Sequence, residues 1–221
     1  MAIMLRSLAT AISLTLLAGC STVAGRKARL AEELGSQLGG TFVQSARLMA
    51  EAGIQDETEV PECTSSLGHP ALREYCSSAA SQAERVADRL NRAYDSGALD
   101  PNDKYGLTHD QYLFRELRTG LVEEHPLVRR HLIYLSWSLC EGGTFLTRAG
   151  RSECRAEVQA ICSATLLHDA DDRNQILALT ILADAGYATQ ECLDALKAVH
   201  NNTTNDEIRV LANQLLSTLG Q

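Results

Sequence analysis

The chain has 221 residues, of which 20 are Lys or Arg and 28 are Asp or Glu, so its formal net charge is −8. This length is enough for one domain with its own hydrophobic core, or for one domain with an appendage. The acidic balance gives the chain as a whole no electrostatic reason to bind nucleic acid or an anionic lipid surface. We therefore expect no nucleic acid among its partners.

Residues 1–19 form the first segment with a distinct character. One cation, Arg6, precedes an apolar run from Leu8 to Leu17, and the small residues Ala18 and Gly19 follow that run. A membrane-spanning helix needs roughly 20 apolar residues, so the run is too short to cross a bilayer. A short positive region, a short apolar run and small residues at its end are typical of a secretory signal peptide.

The order Leu17-Ala18-Gly19-Cys20 resembles the lipobox of bacterial lipoproteins, in which an aliphatic residue, a small residue and Gly or Ala precede the cysteine. The resemblance implies cleavage before Cys20, a diacylglyceryl thioether on its sulfur, and an acyl chain such as palmitate on its amino group. Ser21, in place of Asp, resembles the default signal for the outer membrane. We therefore expect a lipoprotein anchored in the outer membrane and facing the periplasm. The alternative is a plain cleaved signal peptide with a chance cysteine after the cut.

The cysteine count also favours export. Apart from Cys20, six cysteines remain, and an even number in an exported chain predicts three disulfides with fifteen possible connectivities. Cys154 and Cys162 lie on one predicted helix with Cα atoms about 12 Å apart, which is too far for a bridge. Pairing nearest neighbours then predicts Cys63–Cys76, Cys140–Cys154 and Cys162–Cys192. No pair has the C-x-x-C spacing of a zinc site, and we expect no metal or other cofactor.

The rest of the chain predicts an all-α fold, because it lacks sustained strand alternation and hairpin signals. After a tether of about ten residues, the first helix is expected from near Lys27 to Ala52. Gly35 and Gly39 lie near its apolar face and would allow a partner helix to approach closely, although Gly39-Gly40 could instead kink the helix. A second helix is expected to begin near Pro70.

The second helix carries a regular seam of apolar and small residues from Leu72 to Ala93. The seam predicts a close partner, most simply the first helix with this one folded back antiparallel on it, and the alternative is that the seam binds a second protein. The polar segment 95–103 is the best internal boundary. We therefore expect a tether and helical hairpin over residues 20–96 and a second domain over residues 105–221.

The second half contains an internal repeat. Three segments align when they are anchored on Arg129, Arg173 and Arg209, with separations of 44 and 36 residues. Apolar residues recur three, six and ten positions after each anchor, and a polar turn precedes it. The pattern resembles the HEAT repeat family, whose units are pairs of antiparallel helices with an Arg early in the second helix. The resemblance covers roughly Tyr112 to Leu219 and implies a short stacked array of helices.

The array leads to further expectations. The segment Ile176 to Ala183 is apolar nearly all round, which predicts a central helix covered on several sides, and the last helix is expected to be an outer cap. In the HEAT-like interpretation, Arg173 faces a carboxylate in the turns, either Asp171 or Asp206. The Cys140–Cys154 loop, closed by its disulfide, is the first choice for a contact surface. His109 and Asp110 follow Thr108 and are expected only to open a helix.

The segment from His168 to Asp172, His-Asp-Ala-Asp-Asp, is the most tempting chemical cluster. One histidine and three carboxylates could hold a divalent metal, whereas the simpler interpretation is a turn in which an Asp caps the next helix. We therefore expect a non-enzymatic envelope lipoprotein that binds another envelope protein and is anchored in the lipid bilayer by Cys20. The alternative is a periplasmic metal-dependent hydrolase with its site near His168.

Overall fold

The structure, a computed structural model, describes the backbone of residues 2–55, 68–100, 108–122, 125–142, 148–186 and 188–219, and their side chains except those of residues 2–22 and 148–152. All regular secondary structure in these ranges is helical, which confirms the all-α prediction. The α-helices are α1 Ala2–Glu51, α2 Pro70–Glu74, α3 Ala80–Asp95, α4 His109–Gly120, α5 Pro126–Gly142, α6 Arg148–His168, α7 Asp172–Ala185, α8 Gln190–Asn202 and α9 Asp206–Leu219. A π-helical segment, Tyr75–Ala79, joins α2 to α3.

Helix α1 ends within one residue of the predicted position but begins much earlier. It stops where Gly53 adopts a φ of 77°, a conformation that favours glycine and closes helices. The expected tether after Cys20 is wrong as an irregular segment, because the backbone there is already helical. Ala, Leu, Lys and Arg dominate residues 24–31, and no proline interrupts them, so nothing stops the helix from continuing. Burial begins at Ala31.

The two buried glycines of α1 bring it into close contact with α4. A Cβ atom at Gly39 would lie 2.5 Å from Glu116 Cβ and 2.9 Å from the Leu113 carbonyl oxygen, and one at Gly35 would collide with the His109 carbonyl oxygen. The close approach expected from the sequence is confirmed, and Gly39-Gly40 does not end the helix.

The segment α2–α3 folds back on α1, as the seam predicted. The seam positions Leu72, Ala79, Val86, Leu90 and Ala93 are all buried. Because α1 also packs on α4 and α5, one hydrophobic core continues from α1 through α9. Among the described residues, this core includes side chains from both predicted segments, 20–96 and 105–221, and a smaller cluster of Leu48, Ala71 and Ala79 lies within the first.

Helices α4 to α9 form a stacked array of three hairpins, which are α4–α5, α6–α7 and α8–α9. Helices α4, α6 and α8 pack in one layer, and α5, α7 and α9 pack in the other. Helix α7 contacts α5, α6 and α9, and its Leu179 is buried, so the central position expected for this segment is confirmed. Helix α9 buries Ile208, Ala212 and Leu215 and exposes its other side, as expected of an outer helix.

The register of the middle repeat differs from the prediction by two residues. The residues that precede α5, α7 and α9 are His125, Asp171 and Asn205, which are 46 and 34 residues apart, not 44 and 36. Seven positions beyond them stand Leu132, Ala178 and Ala212, each 0% exposed. Arg129 and Arg209 therefore correspond to Gln175, and the predicted anchor Arg173 is out of register.

The predicted disulfides have three different outcomes. The Cys140–Cys154 bridge is present, with Cα atoms 5.6 Å apart, and confirms that prediction. Cys76 is disulfide-bonded, while Cys63 lies outside the described residues.

The predicted Cys162–Cys192 bridge is wrong, because both cysteines are free and buried. They occupy the contact between α6 and α8 as small apolar groups. Burial, together with the neighbouring Cys192, raises the pKa of the Cys162 thiol, and burial also raises that of Cys192. Both thiols are therefore protonated at neutral pH and unreactive.

Candidate functional site

The segment His168 to Asp172 forms the turn between α6 and α7, and its first carboxylate belongs to an ion pair between hairpins. Asp169 accepts hydrogen bonds from Arg129 Nε at 2.7 Å and Arg129 Nη2 at 2.8 Å, a bidentate arrangement. It also accepts from Asn174 Nδ2 at 2.9 Å and from the backbone N–H of Asp171 at 2.9 Å. Asp169 is buried, and both of its oxygens are engaged by protein donors.

The charge of Asp169 is stabilised by these contacts. Burial alone would raise its pKa, but the hydrogen bonds from Arg129, Asn174 and the backbone of Asp171, with the charge of Arg129, hold the pKa below its usual value. The hydrogen bond to Asp169 in turn raises the pKa of Arg129 despite its burial. The pair is therefore fully ionised near neutral pH and ties α5 to the α6–α7 turn.

Asp171 caps α7, which confirms the capping interpretation. Its side chain accepts from the backbone N–H of Asn174 at 3.1 Å and from Arg130 Nη2 at 3.0 Å. Arg130 Nε also donates to Asn174 Oδ1 at 3.0 Å. Asp172, the next carboxylate, accepts from Asn205 Nδ2 at 2.8 Å and links this turn to the α8–α9 turn.

The three carboxylates thus contact different partners instead of converging. No group of three His, Cys, Asp or Glu side chains in the part of the chain that the structure describes is arranged to hold a metal ion. His168 is exposed and makes no hydrogen bond to any described residue. The carboxylates of the segment from His168 to Asp172 therefore have separate structural roles, as an ion-pair partner, a helix cap and a link between turns.

The role expected for Arg173 is wrong. Its guanidinium is exposed and donates to Gln55 Oε1 at 3.3 Å, beyond the end of α1. Arg130 is the residue that pairs with Asp171, and Asp206 pairs with Arg209 at 2.6 Å. The physical reason is the two-residue shift of the middle repeat, which turns Arg173 away from the contact between hairpins.

A cleft of about 530 Å³ lies beside the Arg129–Asp169 pair, between the first and second hairpins. Its apolar side is formed by the end of α4, including Leu121 and Val122, and by Ala160, Ile161 and Ala164 of α6. Val122 is 82% exposed at its edge. The other charged group lining it, Arg118, pairs with Glu157 at 3.2 Å.

A second cleft, of about 290 Å³, lies between the second and third hairpins. Five of its lining residues are Ala198, Val199, Asn202, Thr203 and Thr204. Each stands 34 positions after a residue that lines the first cleft, which are Ala164, Thr165, His168, Asp169 and Ala170. The two clefts are therefore the same feature of successive repeats, and together they form what we call the turn edge of the array. The first is mainly apolar and the second mainly polar.

Sequence reasoning missed a buried polar cluster between α3 and α4. Tyr94 Oη lies 2.6 Å from His109 Nδ1, and His109 Nε2 lies 3.4 Å from Asp110 Oδ1. Burial, with the charge of Asp110 as a second cause, raises the pKa of Tyr94, so the phenol donates to the imidazole. The signal was available, because His109 stands four residues before Leu113 and eight before Leu117, on the same buried face.

The Cys140–Cys154 loop, expected as a contact surface, lies largely outside the described residues, which omit 143–147 and the side chains of 148–152. Across its base, Arg155 and Glu141 approach to 3.9 Å, and both are exposed. This contact is consistent with a loop held at the surface.

No protein family, no curated protein and no solved structure matches this chain. Within the described residues, no helix has the combination of length and apolar character that crossing a membrane requires.

Proposed function

We propose that this protein is a lipid-anchored, non-enzymatic scaffold of the bacterial cell envelope that binds another envelope protein through the turn edge of its helical array. The observation that carries the proposal is the pair of repeat-related clefts, whose charged lining groups Arg118, Arg129, Asp169 and Asp172 all have polar partners among the described residues. Such clefts can receive side chains of a partner, and His168, the exposed imidazole that lines the first cleft, makes no hydrogen bond to a described nucleophile or carboxylate.

The shape of the turn edge favours a protein partner. Adjacent helices in one layer pack about 8–10 Å apart, so the two clefts repeat at a similar spacing along the array. Stacked helical hairpins present extended surfaces of this kind to other proteins. The apolar first cleft, with the exposed Val122 at its edge, suits a buried apolar anchor at the centre of an interface, and the polar second cleft suits its rim.

The lipid anchor is supported by the lipobox resemblance at Cys20. One acyl chain holds a protein only marginally, whereas two or more hold it stably, so the modification that the lipobox implies would keep the array at one membrane surface. The outer membrane, with the array facing the periplasm, is the location we propose.

The alternative, a periplasmic metal-dependent hydrolase near His168, is less well supported. Asp169 and Asp171 would have to release the guanidinium groups of Arg129 and Arg130 before they could bind a metal. Thermal unfolding with and without a chelator distinguishes the two functions. The scaffold predicts one melting temperature in both conditions, and a lower melting temperature with the chelator would favour the hydrolase.

A photo-crosslinking amino acid placed at Val122 tests the scaffold in native envelope membranes. The matched control position is Val210, which is 55% exposed on the outer face of α9. We expect a discrete crosslinked protein from position 122 and none of the same mass from position 210. Ala164→Trp should fill the first cleft and abolish the crosslink, whereas Ala183→Trp, at an exposed position of α7, should leave it intact. Equal crosslinking from both positions, or no effect of Ala164→Trp, would contradict the proposal.

A further inference from the structure

The segment of α1 between Cys20 and the core contains basic residues and no acidic ones, a local composition that the net charge of the chain conceals. Residues 23–29, which we call the stalk, are helical and only partly buried at most, and Val23 is 50% exposed. The stalk contains Arg26, Lys27 and Arg29 and no acidic residue. Arg26 and Arg29 are exposed.

The acidic residues that follow the stalk along α1 are paired with cations of neighbouring helices. Glu33 accepts from Arg89 of α3 at 2.8 Å, and Glu32 lies 3.6 Å from Arg115 of α4. The anions of α1 therefore begin where the helix meets α3 and α4, and cations of those two helices pair with them. No acidic side chain among the described residues pairs with Lys27 or Arg29.

From these observations we infer that the stalk binds anionic phospholipid headgroups and so holds the array in a fixed orientation on the membrane. This inference rests on the proposed lipid anchor, because the anchor places the stalk at the surface. At 1.5 Å per residue, the three cations lie about 9 to 14 Å along the helix from Cys20. That distance is comparable with the Debye length at physiological salt, and long basic side chains can extend towards the headgroups.

Charge complementarity favours a lipid surface over other polyanions. The acidic array repels a nucleic acid that would have to extend beyond the stalk, whereas a membrane contacts the stalk alone and leaves the array outside the screening distance. Each cation close to an anionic surface contributes about 1 kcal/mol, so three correspond to roughly a hundredfold in membrane partitioning.

The test uses a protein that begins at Cys20 and so contains every residue of the described core. A single myristoyl chain is coupled to its Cys20 thiol. The buried thiols of Cys162 and Cys192 should not compete for the coupling. One acyl chain binds membranes weakly and reversibly, so an additional electrostatic contribution is measurable. Partitioning is measured by sedimentation with vesicles of phosphatidylcholine alone and with vesicles that also contain phosphatidylglycerol.

We expect roughly hundredfold stronger partitioning into the anionic vesicles, and we expect added salt to weaken it. Replacing Arg26, Lys27 and Arg29 together by Glu should remove this preference. The control replaces Arg155, Arg173 and Lys197 by Glu, which changes the net charge equally at exposed positions of α6, α7 and α8, and it should retain most of the preference.

Equal partitioning into both vesicles, or an equal loss in the stalk variant and the control, would overturn the inference. The coupled chain carries its acyl group whether or not the cell modifies Cys20. A failure here therefore concerns the stalk alone, whereas an unmodified Cys20 in protein from the native membrane concerns the proposed function.

Discussion

Replacing Gly35 by Ala is the sharpest test of how α1 packs on the array. The new methyl group would collide with the His109 carbonyl oxygen and lie 2.8 Å from Tyr112 Cβ, both of them in α4. A backbone oxygen cannot rotate away as the end of a flexible side chain can, so α1 and α4 must move apart. Overpacking of this kind typically costs about 1–3 kcal/mol.

The matched control is Gly40→Ala, five residues further along the same helix. Gly40 is exposed, and a Cβ atom there would have no neighbour within 4 Å. Alanine is the better helix former by up to about 1 kcal/mol, so this variant should be more stable than the parent chain. The two substitutions are chemically identical, and only the neighbouring helix makes their effects opposite in sign.

Urea and thermal unfolding followed by far-ultraviolet circular dichroism measure both effects, with the disulfides kept intact. For a chain of this length, 1 kcal/mol corresponds to roughly 2–4 °C in Tm. We expect Gly35→Ala to lower Tm by several degrees and Gly40→Ala to raise it by a few degrees. If Gly35→Ala stabilised the protein as Gly40→Ala does, the close contact between α1 and α4 would be refuted.

Three further predictions concern the packing of the core, the Arg129–Asp169 ion pair and the two free cysteines. Leu179→Ala should cost about 2–5 kcal/mol in chemical denaturation, because it empties a buried site, whereas Arg173→Ala should change stability by less than about 1 kcal/mol, since it removes one exposed hydrogen bond. Asp169→Asn should lower the free energy of unfolding strongly near pH 7. Because folding lowers the pKa of Asp169, the difference in stability between parent and variant should be full above the unfolded-state pKa of about 4. It should narrow as the pH falls through the folded-state pKa. A thiol reagent should label Cys162 and Cys192 only after unfolding, and labelling of neither under denaturing, non-reducing conditions would show that they are bridged after all.

Spacing along the sequence was sufficient to predict the all-α class and the buried face of the α2–α3 segment. The seam of α2–α3 and the small residues of α1 follow from local spacing, which a helix converts directly into one face. Cys140–Cys154 was also predictable, because the loop between them is short and the alternative partner Cys162 is too far along the same helix. The antiparallel contact of α2–α3 with α1 was expected, but the additional contact of Gly35 and Gly39 with α4 requires tertiary packing that spacing does not specify.

The register of the middle repeat could not be predicted from the sequence pattern, and the reason is physical. The turn before α7 offers Asp169, Asp171 and Asp172, and each is an acceptable helix cap by residue type. In the structure Arg129 binds Asp169, and Asp171, which also accepts a hydrogen bond from Arg130, caps α7. That choice is made by a contact between hairpins, and it moves the arginine of the middle repeat out of the position that periodicity assigns to it.

The buried contact between Tyr94 and His109 also depends on tertiary packing. His109 shares the apolar spacing of α4, and its imidazole is hydrogen-bonded to Tyr94, which comes from another helix. Its partner could not be identified from α4 alone. Local patterns therefore predict where a side chain points, and tertiary contacts decide what it meets.

Mass spectrometry of the amino-terminal peptide tests the central claim of a lipid-anchored scaffold most directly. The protein should be extracted from its native membrane, and Cys20→Ser provides the control, which should remain an unprocessed precursor. We expect the mature chain to begin at Cys20, with a diacylglyceryl group on the sulfur and an acyl group on the amino nitrogen. An unmodified amino terminus beyond Cys20, or a chain that retains residues 1–19 with a free Cys20 thiol, would contradict the account.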